Sequence, residues 1–155
     1  MEFQRNRKPF TPEEFENIYS KVPRLTVSLL VATEKGVVLT LRSHNTWKNQ
    51  WHLPGGTVLY KETLAQAIDR VGRDEIGVSV KMGELLGYIE YPSEEEQRGF
   101  GSSVNLVFRC TTDETSFSVN EDASRIDTFM ILPETMITEE AEFLKSRLGT
   151  ILKKL

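Results

Sequence analysis

Residues 51–78 read WHLPGGTVLYKETLAQAIDRVGRDEIGV, and the parsing of this stretch decides the fold. Trp51 to Leu53 is the end of an apolar run. Pro54 stiffens the exit, and Gly55-Gly56 permits a tight turn and a close backbone approach to a cation or phosphate. Thr63 followed by Gln66 is a capping pair that starts a helix, and Gly77 ends it. Within that helix Leu64, Ile68 and Val71 recur at helical spacing, with Ala67 on their border, so this face packs against a sheet. Glu75 falls on the same line and Asp74 just off it. A carboxylate on an apolar face is costly unless its charge is compensated. A metal ion, Arg70 or a backbone donor would each do this. Paired acids at a helix end are otherwise most often a solvated face.

The flanks read as alternating strands and helices. Thr11-Pro12-Glu13-Glu14 is a capping box with proline in the first turn, and Phe15, Ile18, Tyr19 and Val22 form one stripe before Pro23 stops the helix. That helix either covers a sheet edge or serves as a dimer contact or a wall for substrate. Residues 1–10 are polar and basic and read as a loose arm. Leu25–Thr33 and Val37–Leu41 form a hairpin across Glu34-Lys35-Gly36. Beyond the central helix, strands are expected over Lys81–Tyr91, Ser103–Cys110 and Ile126–Leu132. Polar loops are expected over 93–101 and 111–124. A single C-terminal helix should follow Pro133 and Thr138, carrying Leu144, Leu148, Ile151, Leu152 and Leu155. This order of elements predicts a layered α/β domain spanning residues 1–155.

The 155 residues suffice for one domain with a substantial core. A net charge of −4 argues against a nucleic-acid-coating surface but leaves room for a local nucleotide pocket. The single cysteine, Cys110, lies in the apolar run VNLVFRC and reads as a buried, inert thiol in a reducing compartment. The N-terminus lacks a signal-type apolar stretch, and no run reaches membrane-spanning length, so a cytoplasmic protein is expected. His44 and His52 show no metal-ligand spacing and read as loop or packing residues.

The stretch 51–78 resembles the Nudix box. Gly56, Glu62, Arg70, Glu75, Gly77 and Val78 fall in register over 23 residues. The resemblance implies an α/β/α sandwich around a mixed sheet, here with an additional N-terminal helix. Gly56, Glu62, Arg70 and Gly77 would then be structural, with Glu62 anchored to Arg70 so that the loop is fixed against the helix. The Gly55 carbonyl, Asp74 and Glu75 would ligate Mg²⁺ or Mn²⁺, and Asp74 and Glu75 would carry the catalysis. Arg42, Trp47 and Glu121 are candidate substrate contacts, and Lys61 reads as solvent-facing, though near enough to touch phosphate. Oxygen donors suit these hard ions rather than zinc. The implied reaction is attack by water on a nucleoside diphosphate linked to another moiety, with a small nucleotide or nucleotide-sugar as substrate. Family members often dimerise, and the N-terminal helix is a candidate homodimer contact.

The chain departs from the box in two acids. Val71 stands where the first Glu after the Arg belongs, and Asp74 replaces another Glu. Gly72 also occupies the apolar place. The helix therefore offers two carboxylates rather than three, and Glu94 to Glu96, Glu114, Glu121 and Asp122 are candidates for a missing ligand or base. The GDP-mannose mannosyl hydrolase branch also lacks this Glu, but it uses a His in the loop before the last strand. This chain has no His after His52. Three readings follow: a metal-dependent pyrophosphate-cleaving hydrolase, a GDP-sugar glycosyl hydrolase, and a Nudix-fold binding module without catalysis.

Overall fold

The computed structural model describes residues 9–153. Seven strands form one mixed sheet: β1 (Arg24–Thr33), β2 (Gly36–Arg42), β3 (Trp51–His52), β4 (Gly55–Thr57), β5 (Lys81–Glu90), β6 (Ser103–Thr111) and β7 (Ala123–Phe129). The order β3-β2-β1-β6-β5 is extended by β4 beside β1 and β7 beside β2. β1 and β6 run parallel, and the other pairs are antiparallel.

Helices cover both faces because β1 is apolar on both. Val27, Leu29 and Val31 face α2 (Leu64–Val71), where they pack with Ile68 and Val71. Leu30, with Val37 and Leu39 of β2, faces α4 (Thr138–Lys145) and α5 (Leu148–Lys153), where Phe143, Leu144 and Ile151 close a second core. Strands buried on both faces read as continuous apolar runs, as LTVSLLVAT does. Cys110 is buried in the first core, and burial pushes its thiol up to about 12, which agrees with a packing role. Trp51 belongs to the second core.

β1 splays away from β2. The two pair only at Ala32↔Val37 and Thr33↔Gly36, beside their turn. The first half of β1 pairs instead with β4, through Thr26↔Thr57, Val27↔Gly56 and Ser28↔Gly55. The Gly-Gly segment thus fills one side of a fork in the sheet, and the candidate site lies in that fork.

Four sequence expectations need correction. The loop 93–101 contains α3 (Glu94–Arg98), because Glu94 is drawn into a buried ion pair with Arg24 at 3.3 Å. The last strand lies three residues earlier than expected. It follows β2 from Arg42↔Ala123 to Val37↔Phe129 and ends where β2 begins, leaving Met130 and Ile131 exposed. The C-terminal helix is two helices, since Arg147 folds over the Phe143 ring at 3.9 Å and donates to its carbonyl at 2.8 Å. Finally, α1 (Pro12–Tyr19) has its predicted capping box, but none of its residues is fully buried. Of the arm expected over residues 1–10, residues 1–8 lie outside the described residues, as does the apolar Leu155, while Pro9 and Phe10 line the cavity of the candidate site and Phe10 packs edge-on against Tyr19. Among the described residues no helix is long and apolar enough to cross a membrane.

Candidate active site

The central helix changes pitch at the acids. α2 ends at Val71, and Gly72–Ile76 wind one π turn, in which the Gly77 amide donates to the Gly72 carbonyl five residues back. The wider turn inserts one residue into the helical count. Ile76, fully buried, therefore continues the apolar line, not Glu75 as expected. Glu75 and Asp74 are displaced from the core to a half-buried position facing a cavity. Such π turns concentrate at functional sites because they re-aim side chains in this way. Gly77 takes a left-handed φ of 74° that closes the turn. Val80 fills the space that a side chain at Gly72 would need, which accounts for glycine at the family's apolar position.

The loop ahead of the helix is clamped to it. Glu62, buried, receives Arg70 Nε on Oε2 at 2.8 Å and Arg70 Nη2 on Oε1 at 3.0 Å. The same carboxylate accepts the Leu59 amide at 3.0 Å, and Arg70 Nη2 also donates to the Thr57 carbonyl at 2.8 Å. Residues 57, 59 and 62 are thereby tied to one guanidinium. Arg70 also approaches Asp74 at 3.6 Å, which links the clamp to the acids. Thr63 and Gln66 form the predicted capping box.

Gly55, Gly56, Val71, Asp74 and Glu75 line one cavity of about 420 Å³. A Cβ on Gly55 would sit 2.8 Å from the Val27 carbonyl and 2.9 Å from Ser28 Oγ, so only glycine lets β4 approach β1 this closely. Val71 Cγ2 lies 3.1 Å from where a Gly56 Cβ would be, and it occupies the cavity wall where a third acid would stand. Among the described residues no group of three or more His, Cys, Asp or Glu is placed to hold a metal ion. Two carboxylates and the Gly55 carbonyl nevertheless suit Mg²⁺, which is commonly held by one or two carboxylates and completes its shell with substrate phosphate and water.

The remaining predicted contacts divide. Arg42 lines the cavity, is held by Thr46 through bonds of 2.8 and 2.9 Å, and stacks over Trp47. Burial lowers its pKa. Trp47 is buried against Tyr91 and lines only a smaller adjoining cavity. Glu121 is exposed and lines neither cavity, and its neighbour Asp122 takes the place expected for it. Lys61 is exposed and outside both cavities as well.

His44 and Asn120 escaped the sequence reading, whereas Asp122 stood among its candidate loop acids. His44 Nε2 meets Asp122 Oδ1 at 2.7 Å across the cavity mouth. Asn120 donates to the Asp74 carbonyl at 2.5 Å and to Glu75 Oε1 at 3.4 Å, so the loop before β7 buttresses the acids. Both contacts join residues 45 or more positions apart and leave no local signal. His52 is buried against Thr40 at 3.1 Å, and desolvation holds it neutral with a pKa of about 3. α1 forms a further wall through Phe10, Thr11, Pro12 and Phe15, with Arg24 and Arg98 stacked on the Phe15 ring at 5.3 and 5.5 Å. Of the roles open to this helix, that of a wall beside the cavity matches its position.

A two-sided sandwich with a glycine turn and an acid-bearing helix end on one cavity defines a Nudix-fold protein. The NUDIX domain model matches residues 22–148, so the chain belongs to the NUDIX domain family and is a hydrolase of that family. It is 34% identical over 134 residues to the low-salt glycan biosynthesis protein Agl8 of Haloferax volcanii, covering 81% of this chain and 86% of that relative. It is 26% identical to an ADP-ribose pyrophosphatase of Methanocaldococcus jannaschii, over 69% of this chain and 62% of that protein. Its fold superposes on a MutT protein from Methanosarcina mazei with a TM-score of 0.72, at 21% identity, over 84% of this chain and 96% of that one.

Proposed function

We propose that the protein is a Mg²⁺- or Mn²⁺-dependent hydrolase that cleaves the pyrophosphate bond of a nucleoside diphosphate linked to another moiety. The observation that carries this is the convergence of Asp74, Glu75, Gly55 and Arg42 on one cavity. Asp74, Glu75 and the Gly55 carbonyl would hold the ion, and Arg42 would meet phosphate. When bound, the ion neutralises phosphate charge and lowers the pKa of a water. The chain's own part is positional. The Glu62–Arg70 clamp fixes the glycine turn against the helix, Asn120 holds Glu75, and α1 walls the cavity from solvent. The pyrophosphatase name of one relative supports this reading.

A second reading, a GDP-sugar glycosyl hydrolase, is favoured by one contact. The branch that the box resembles uses a His from the loop before the last strand, and here Asp122 of that loop binds His44 from the opposite loop. An imidazole thus contacts that loop although no His follows His52 in sequence. The glycan-biosynthesis name of the other relative points the same way.

The test is a screen of nucleoside diphosphate compounds with Mg²⁺ that reads both phosphate-bond cleavage and free sugar. Nucleotide monophosphate products support the first reading, and free sugar with intact GDP the second. Glu75→Gln should abolish metal-dependent turnover of either kind while leaving the circular dichroism spectrum unchanged. Near wild-type activity in that variant removes the metal role given to Glu75.

A further inference from the structure

Arg42, the cation that faces the acids across the cavity, projects from a loop that closes on itself. Its amide donates to the Gln50 carbonyl at 3.1 Å and its carbonyl accepts the Asn49 amide at 3.0 Å, so residues 42–50 begin and end at one place. The side chain turns back into this loop. Nε donates to the Thr46 carbonyl at 2.8 Å and Nη2 to Thr46 Oγ1 at 2.9 Å. Neither bond brings a compensating charge, and Nη1 takes no part in them. The guanidinium carbon lies 5.6 Å from the centroid of the Trp47 ring, within stacking range.

The peptide joining Thr46 to Trp47 is pinned from its other side. Its carbonyl receives Arg42, and its N–H, the Trp47 amide, donates to Gln97 Oε1 of α3 at 2.9 Å. A peptide unit is planar, so a hold on its N–H also fixes its carbonyl. The indole is locked as well. Nε1 donates to Ser93 Oγ at 3.2 Å, the ring meets Tyr91 at 5.9 Å, and Trp47 is only 7% exposed. Ser93 in turn gives its amide and its hydroxyl to Glu139 of α4, at 3.0 and 2.7 Å. Within the loop Trp47 takes a φ of 47° and Asn49 one of 62°, the left-handed region that residues with side chains adopt at a cost. Such strain persists where the surroundings over-determine it, and it gathers at functional sites.

A tryptophan that only filled space would need neither the strained backbone nor the bonded peptide. Nor does direct contact with substrate account for them, because both N–H donors of Trp47 are spent on Gln97 and Ser93. What these bonds share is Arg42. A long flexible side chain loses rotamer freedom when it grips an anion, and one already held loses less. We propose that Trp47 is a positioning residue: pinned by Gln97 and Ser93, it holds Arg42 aimed at the substrate diphosphate and acts on substrate only through that guanidinium. The assignment rests on the phosphate role of Arg42 and adds the residues that set its aim.

The test is calorimetric titration of the full chain with methylenediphosphonate and Mg²⁺, a diphosphate mimic whose P–C–P bridge resists hydrolysis. Trp47→Leu is expected to weaken its binding by about tenfold or more, the scale of one charge-assisted hydrogen bond. Trp47→Phe keeps a ring face for the guanidinium and should stay within about threefold of wild type. In an Arg42→Met background, Trp47→Leu should change affinity by less than about twofold, because the group it serves is gone. Mg²⁺ binding without the diphosphonate should differ by less than about twofold between wild type and Trp47→Leu, since the acids are held by other contacts. Wild-type diphosphonate affinity in Trp47→Leu overturns the inference. So does an equal loss with and without Arg42, an equal loss in the Phe and Leu variants, a parallel loss of Mg²⁺ binding, or no diphosphonate binding by the wild type. If Trp47→Leu fails to fold, Gln97→Ala changes an exposed side chain and frees the Thr46–Trp47 peptide. It should weaken diphosphonate binding by about threefold or more, and only while Arg42 is present. Absent turnover in the hydrolysis screen with this pattern intact would sink the catalytic reading alone. Turnover together with additive losses at Trp47 and Arg42 would sink the positioning role alone.

Discussion

Glu62→Gln isolates the clamp that holds the glycine turn against the acid-bearing helix. The substitution preserves volume, so no cavity is created. It removes the negative charge that faces Arg70 and puts an amide NH₂ among three donors: Arg70 Nε at 2.8 Å, Arg70 Nη2 at 3.0 Å and the Leu59 amide at 3.0 Å. At most one side-chain oxygen remains to accept, so at least one donor contact becomes repulsive. Removing one partner of a buried pair costs about 3–5 kcal/mol. The Arg70 side chain is 17% exposed, so water relieves part of its charge, and about 2–3 kcal/mol is the better figure. For a domain of this size that corresponds to a fall in Tm of roughly 5–10 °C. Thermal and urea unfolding followed by circular dichroism would measure it. Arg70, released from Glu62, retains the Thr57 carbonyl and moves onto Asp74, so Mg²⁺ affinity should fall as well. The double variant Glu62→Gln/Arg70→Met should lose less than the sum of the two single variants, because the unpaired charge is gone. A loss below about 1 kcal/mol for Glu62→Gln would mean that the pair behaves as an exposed ion pair and does not fix the loop.

Further outcomes follow from the same geometry. Val71→Glu places a third carboxylate on the cavity wall. It should tighten Mg²⁺ binding in titration by about tenfold or more, at a stability cost of about 1.5–3 kcal/mol for the lost apolar burial. Unchanged metal affinity would show that position 71 does not face the ion. His52 is held neutral when folded, with a pKa of about 3, whereas the unfolded chain protonates it near its ordinary 6.5. The unfolded state therefore binds more protons between these values, and the contribution of His52 to stability is lost as pH falls from about 6.5 toward 3. The difference in Tm between wild type and His52→Gln should shrink over that range, and a constant difference would refute the assignment.

Most of the framework was legible because its causes are local. The apolar run of β1 and the capping boxes at Thr11 and Thr63 each depend on neighbouring residues or on one turn of helix, and the spacing of Gly56, Glu62, Arg70 and Gly77 was legible through its resemblance to the Nudix box. The candidate acids were legible for the same reason. Glu75 faces the cavity and not the core, whereas straight α-helical counting places it on the apolar line. The π turn, which gives that line to Ile76, has no signature in the periodicity. Glu121 and Asp122 illustrate the opposite limit. Composition marks both as loop acids, and only the path of the chain into β7 decides that Asp122 enters the cavity.

The resemblance to the Nudix box implied the clamp between Glu62 and Arg70 and the reduction from three acids to two at Val71, whereas the sequence by itself determined the two-sided burial of β1 and the capping boxes at Thr11 and Thr63. Each is a matter of residue type at fixed short spacing, where helix and turn geometry leave little freedom. Tertiary structure alone decided the fork between β1 and β2, the wall made by α1, the meeting of His44 with Asp122, and the pinning of Trp47 by Ser93 and Gln97. These join segments far apart in the chain, and their positions depend on strand pairing and packing that no local pattern encodes.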